Sequence, residues 1–452
     1  MDLRGTMRIT DDGRLEIGGC ACDRLAKDFG TPLYVMDEDE IRARCREMAG
    51  VLARAYPNTF VAYASKAFST LAMCRLVHQE GLGLDVASGG ELYTALQAGF
   101  PPARVLFHGN NKSLDEIEMG VRAGVLRFVV DNLSELDLIE DVARRFMRRV
   151  HVQIRLTPGI DAHTHDYIRT GQLDSKFGLG IENGQAMAAV KRAHASEFLI
   201  LEGLHCHIGS QILSVKPFAM AAAIVMDFAA EVKKATGYSV REVNLGGGLG
   251  VRYTSGDERV PLGKYASVIS KVVREKCLAH GLEPPRLMVE PGRYIVGEAG
   301  TTLYTVGSVK EIPGVRKYVT VDGGLADNPR VALYKACYEA VSVTRPLSPP
   351  EERVSIAGRH CESGDMLIRD IFLPRLKTGD ILAVLSTGAY NYSMSSNYNR
   401  YPRPAVVFVR AGVADVVVAR EAYQDVAARD RIPARLELAD DASPYLSSVG
   451  TA

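Results

Sequence analysis

The sequence predicts an α/β architecture with an added all-β unit. Eight parallel strands close into a (β/α)8 barrel over residues 36–298, and a β-sandwich or β-barrel domain is built from both chain ends. Three observations lead there. From about residue 59 to 290 one unit repeats: a short β-branched or apolar run, a glycine-rich or polar turn, then a stretch of helical period. Outside that block the apolar residues alternate with period two, the mark of antiparallel strands with one buried face. The chain has 452 residues, a length that suits a barrel of roughly 250 residues plus a smaller unit.

In chain order, the Asp11-Asp12-Gly13 turn within MRITDDGRLEI predicts a small hairpin, so residues 1–35 join the β domain. The candidate barrel strands are Phe60–Ala64, Leu82–Val86, Arg104–Phe107, Arg127–Val130, His151–Leu156, Leu199–Leu204, Glu242–Leu245 and Arg286–Val289. Helical stretches at 69–79, 90–98, 114–123, 133–145, 183–194, 217–234 and 265–280 separate them. Such alternation implies a parallel sheet, for which closure is the economical solution and an open doubly wound sheet the alternative. From 299 to 452, TLYTVGSVKEI, KYVTVDG, ILAVLS and AVVFVRAGVADVVVAR read as antiparallel strands, with Thr344–Pro350 an exposed proline-rich loop.

Composition narrows the function. The 54 basic and 54 acidic side chains cancel, which argues against a nucleic-acid or membrane-surface binder, since either needs a strong basic field. The longest clearly apolar run, 218–226, is far short of the ~20 residues that span a bilayer. No secretory pattern opens the chain, so a cytoplasmic address is expected. The eight cysteines (20, 22, 45, 74, 206, 277, 337 and 361) show no disulfide framework and are expected as reduced thiols. Cys20 and Cys22 have no second pair nearby to complete a metal site.

In a barrel, functional groups gather just after the strands, at the C-terminal mouth. There the sequence places Lys66, Asp85, His108, Arg155, His205, His207, the run Gly246-Gly247-Gly248 and Glu290-Pro291-Gly292-Arg293. A lysine at a strand end inside a mouth is costly to bury unless paired or used, and such lysines form Schiff bases. The glycine run offers backbone N–H groups to a phosphate. With the Glu290 carboxylate these make the three anchors pyridoxal phosphate requires, for aldehyde, phosphate and pyridine nitrogen. The rival chemistry is a metal-dependent hydrolase using His205 and His207, with His163 and His165 adding to the suspicion. It would prefer histidines on the first strand, where Lys66 stands, so no metal is expected.

The segments YASKA (63–67), FHGNNKS (107–113), HTHDYIRTGQLDSKFG (163–178), GLHCHIGSQ (203–211), NLGGGLG (244–250), EPGR (290–293), DNPRVALY (327–334), GRHCESGD (358–365) and GAYNYSMSSNYNR (388–400) resemble the diaminopimelate decarboxylase family of fold-type III pyridoxal-phosphate decarboxylases. The resemblance covers nearly the whole chain. It implies decarboxylation of meso-2,6-diaminopimelate to L-lysine in a homodimer with shared active sites. Lys66 would be the Schiff-base lysine, His207 the ring-stacking side chain and Glu290 the partner of the pyridine nitrogen. Ser210, Gly247, Gly248 and the Pro291-Gly292-Arg293 turn would hold the phosphate region, closed by Tyr390. Arg155 would lie near the ring hydroxyl and Asp85 near Lys66. Arg293, Arg330, Tyr334, Glu362 and Tyr390 would grip the substrate, and Cys361 would donate a proton across the dimer interface. His108 is expected only to order its loop, Asn110, Asn111 and Lys112 are open between a polar loop and a substrate contact, and Asp365 is expected to support the Cys361 loop. Two alternatives stay open: a same-fold decarboxylase of ornithine, arginine or carboxynorspermidine, and a noncatalytic coenzyme carrier, which would be a much shorter single domain.

Overall fold

A computed structural model describes residues 3–160 and 175–436. Eight parallel strands form the barrel: Thr59–Ala64, Gly83–Val86, Val105–Phe107, Arg127–Val130, Val150–Thr157, Leu199–Cys206, Glu242–Asn244 and Arg286–Val289. Each pairs with its sequence neighbour. The eighth strand pairs with the first (Leu287 opposite Thr59), which closes the ring. The short strand Leu179–Gly180 adds to the fifth from outside the ring. Predicted and observed strands agree to within two residues at each end, and the doubly wound alternative is set aside.

The helices begin where side chains can satisfy their first N–H groups. Thr70, Ser88, Ser113 and Asn132 each accept from the backbone N–H three residues on, and Ser113 with Glu116 completes a capping box. Gly124, Gly237 and Gly281 end their helices in the left-handed conformation. Apolar faces such as Leu136, Ile139 and Val142 pack against the outside of the strands.

The second unit is a mixed sheet ordered around the long strand Gly300–Ile312, which pairs antiparallel with Leu33–Asp37, Arg316–Val321 and Ile381–Leu385. Leu33–Asp37 from the N-terminal end is held between that strand and Ala405–Arg410, so both chain ends do build this sheet. The hairpin strands Arg8–Ile9 and Leu15–Ile17 pack over it, with Leu15 and Ile17 in one core with Leu33, Leu303 and Val407.

Inside the barrel the side chains are not all apolar. Phe60, Ala62, Leu106 and Met288 form a small greasy layer. Past it runs a polar column. At the N-terminal end Arg127 makes two hydrogen bonds to Glu242, at 2.9 and 2.8 Å. Gln153 donates to Glu242 at 2.8 Å, and Asn244 donates to Gln153 at 3.3 Å and to Glu290 at 2.8 Å. Each buried amide and ion therefore finds a partner in the next layer. Breaking the lowest pair strands a buried charge. Arg127→Ala is expected to lower the free energy of urea unfolding by about 3–5 kcal/mol, whereas a change below 1 kcal/mol would show that the pair is not buried as described.

Candidate active site

The strand ends converge on one cavity of about 210 Å3, lined by Lys66, Asp85, His108, Arg155, His205, His207, Ser210, Gly247, Gly248, Glu290, Pro291, Gly292, Arg293 and Tyr390, among others. Lys66 sits in the 3-10 turn Ser65–Ala67 at the end of the first strand. That turn is tied to the second unit, since the Tyr390 N–H donates to the Ala67 carbonyl at 2.8 Å. Gly247 and Gly248 have no room for side chains: a Cβ on Gly247 would stand 2.2 Å from the Glu290 carbonyl oxygen, and Gly248 has φ +112°. Opposite them Arg293 donates to the Ser210 hydroxyl at 2.9 Å, and its guanidinium lies 4.8 Å from the Tyr390 ring centroid.

Charge is concentrated on the floor. Glu290, 5% exposed, accepts at Oε1 from Asn244 (2.8 Å), with His108 Nε2 at 2.8 Å from the same oxygen and His205 Nε2 at 3.1 Å from Oε2. Burial disfavours its charge, but the facing imidazoles of His108 and His205 outweigh that and hold it well below the usual carboxylate range. Burial pushes His205 down to about 4, so at neutral pH it is an uncharged ring that donates from Nε2. Burial likewise holds His207 well below its ordinary value, with the charges of Lys66 and Arg155 acting in the same direction. His207 accepts the Gly247 N–H at Nδ1. Arg155 pairs with Asp131 at 3.4 Å and stacks on Phe177 at 4.5 Å. The two histidines of the HxH pair thus turn to different partners.

Some expectations need correction. His108, expected only to order its loop, reaches Glu290 and lines the cavity. Lys112 is no polar loop residue: its ammonium is buried against Glu135 at 2.5 Å and the carbonyls of Gly109 and Val129, both at 2.9 Å. Asn244, to which the sequence assigns no role beyond opening NLGGGLG, ends the seventh strand and donates to Glu290. His163 and His165 lie outside the described residues.

Four expected site residues do not line this cavity. Arg330 is buried nearby, donating to the Tyr338 hydroxyl at 2.5 Å with its guanidinium 4.7 Å from the Tyr253 ring centroid. Tyr253 also accepts from Arg293. Tyr334 is half-buried on the helix Arg330–Tyr334, while Cys361 and Glu362 are exposed. The loop carrying them is firmly held. Asp365 accepts from Leu325 N (2.6 Å), His360 N (2.8 Å) and His360 Nδ1 (2.8 Å), and Cys361 N donates to Asn399 Oδ1 at 2.8 Å.

Residues 38–297 match the family model described as the pyridoxal-binding domain of pyridoxal-dependent decarboxylases. Diaminopimelate decarboxylase from Bacillus subtilis is 51% identical over 95% of this chain and 98% of its own length. The chain belongs to the diaminopimelate decarboxylase family. The Staphylococcus aureus member is 44% identical over 94% of this chain and 99% of its own. Among solved structures, diaminopimelate decarboxylase from M. jannaschii in complex with L-lysine superposes with a TM-score of 0.89 at 38% identity, covering 96% of this chain and 99% of that one.

The family's cofactor is pyridoxal 5'-phosphate, and the residues present fit it. The cavity holds one lysine, a buried anion opposite, and at one side a glycine cradle backed by Ser210 and Arg293.

Asp85 offers a test of the electrostatics. Burial pushes its carboxyl up to about 6, against the pull of His108. The folded value lies above the unfolded ~3.9, so this group favours folding below pH 4 and that contribution is lost as pH rises through 6. In coenzyme-stripped protein, Asp85→Asn should match wild-type stability near pH 4 and exceed it by up to about 3 kcal/mol above pH 6. Parallel stability curves across that range would refute the assignment.

Proposed function

We propose that this chain decarboxylates meso-2,6-diaminopimelate to L-lysine and CO2, using pyridoxal phosphate carried on Lys66. The observation that carries this reading is a single cavity uniting Lys66, the ionised Glu290 and the glycine cradle, in a chain 51% identical to a diaminopimelate decarboxylase over nearly its full length. When bound, the coenzyme withdraws the electron pair that CO2 leaves behind. The protein's own residues do the rest. Glu290 would keep the ring nitrogen protonated, the neutral His207 would offer a flat uncharged face for stacking, and Arg155 would serve the ring hydroxyl. Ser210, Gly247, Gly248 and the Pro291-Gly292-Arg293 turn would hold the phosphate region, closed by Tyr390. Asp85 faces Lys66, where its charge helps keep the amine placed.

A substrate with two carboxylates suits two arginines, each able to make bidentate bonds that a simple diamine would not use. Arg293 and Arg330 meet on Tyr253, which sets their spacing, with Tyr334, Glu362 and Tyr390 completing the grip. Cys361 and Glu362 are exposed on a braced loop away from their own cavity. We assign them to the mouth of a second copy, where Cys361 protonates the α-carbon, so the working unit is a homodimer. Among the described residues no helix is long and apolar enough to cross a membrane, and all eight cysteines are free thiols, in keeping with work in the cytoplasm.

CO2 release is expected from meso-diaminopimelate and none from ornithine, arginine or carboxynorspermidine; the reverse profile overturns the substrate assignment. Borohydride reduction and peptide mapping should place the pyridoxyl tag on Lys66. Cys361→Ala should keep the coenzyme absorbance and lose about 10²–10⁴-fold in kcat, the usual worth of a positioned proton donor. Mixing it with Lys66→Ala should restore part of the activity, and no rescue would remove the shared site.

A further inference from the structure

The Glu290 carboxylate takes more protein donors than neutralising one charge requires. We infer that His108, Asn244 and His205 are positioning residues that occupy three of its acceptor sites, leaving one on Oε2 for the protonated ring nitrogen of the coenzyme. The inference deepens the proposed function and rests on its assignment of Glu290 to that nitrogen.

The count is direct. An ionised carboxylate offers about four lone-pair sites, two on each oxygen. Asn244 and His108 take both on Oε1, and His205 takes one on Oε2. The orientation of Asn244 follows from its other bonds: Oδ1 accepts the Gly246 N–H at 3.0 Å, so the NH2 group faces Glu290. That NH2 is braced from below through Gln153 and Glu242 to Arg127. The carboxylate can neither rotate nor withdraw without breaking this column.

Three donors also weaken Glu290 as a base, since each stabilises its charged form. A weak base opposite the ring nitrogen leaves the shared proton on the ring, where it draws electrons. Other charged or titratable groups around this floor include Asp85, Arg155, Lys66, His207 and Cys206, with Arg293 and Tyr390 lining the cavity. Asp85 is 3.7 Å from His108 Nε2, too far for a hydrogen bond, so Glu290 is the principal partner of His108. His108, His205 and Glu290 also bring ligand-type atoms within 4.8 Å of one another. A cation there would compete with the Asn244 donor aimed at Oε1.

The test uses holoenzyme loaded with pyridoxal phosphate carrying ¹⁵N in the ring. In wild type the ring-nitrogen resonance should be that of the protonated form across the neutral range. In His108→Ala it should move toward the unprotonated form throughout that range, because the shared proton passes to the more basic Glu290, with kcat lower by about 10- to 100-fold, the worth of one hydrogen bond to a charged group, and KM within about 3-fold. His108→Gln, which keeps a donor, should recover most of both. His205→Leu, which removes the donor to Oε2, provides a second reading if His108→Ala does not fold. An unmoved resonance with unchanged kcat in His108→Ala, or in His205→Leu where it stands in, overturns the inference, as does a stoichiometric transition metal in purified wild type. Wild-type protein that takes up no coenzyme would instead sink the functional reading beneath it.

Discussion

An ionised carboxylate buried in the middle of a barrel is tolerable only if hydrogen-bond donors replace the water it has lost. Glu290 is such a group, and its three donors stand 182, 85 and 46 residues away in the chain. Only the ends of different parallel strands, brought round a closed ring, deliver them to one point. Closure therefore does more than hide strand edges. It makes the charge at the mouth affordable, and the column from Arg127 to Asn244 passes that requirement down to the opposite end of the barrel.

Much of this was legible in the sequence because the signals are local. Each barrel strand is a short apolar run bounded by turn residues, and Ser88, Ser113 and Asn132 announce the helices that follow. Most of the polar residues lining the cavity follow from one rule, that chemistry sits after the strands, whereas Ser210 and Tyr390 are implied only by the family resemblance. The illegible part is pairwise. Nothing near His108 in the chain says that its ring meets a carboxylate from the eighth strand. Lys112 looks solvated in NNKS, yet its ammonium is buried beneath the loop. Asn244 reads as the polar end of an apolar strand until Glu290 is beside it. A local pattern carries the period of an element, not the identity of its neighbour across a barrel.

The second domain contributes through a few contacts that are likewise non-local. Tyr390, with φ 60°, adopts a conformation uncommon for a bulky residue, and its N–H caps the turn that carries Lys66. The strain falls where the domain enters the barrel mouth, and it brings the phenol ring over Arg293. Tyr253 meanwhile accepts from Arg293 and supplies a ring face to Arg330, so two guanidinium groups that would repel in isolation share one aromatic partner.

The Cys361 loop carries the same logic to the surface. Its anchor, Asp365, is almost fully buried and fills its oxygens with three donors. The fit is tight enough that a Cβ on Gly358 would lie 2.1 Å from an Asp365 oxygen. Such investment inside the loop contrasts with the exposure of Cys361 and Glu362 at its tip. Side chains with no task at a surface are normally left free to move, because ordering them costs conformational entropy. Here the N–H groups of His360 and Cys361 are already held by Asp365 and Asn399, so on the proposed shared site much of that entropy would be spent before a second copy docked. A proton donor that had to reach a substrate α-carbon held in another subunit would gain from such preorganisation in the same way as one built into its own active site.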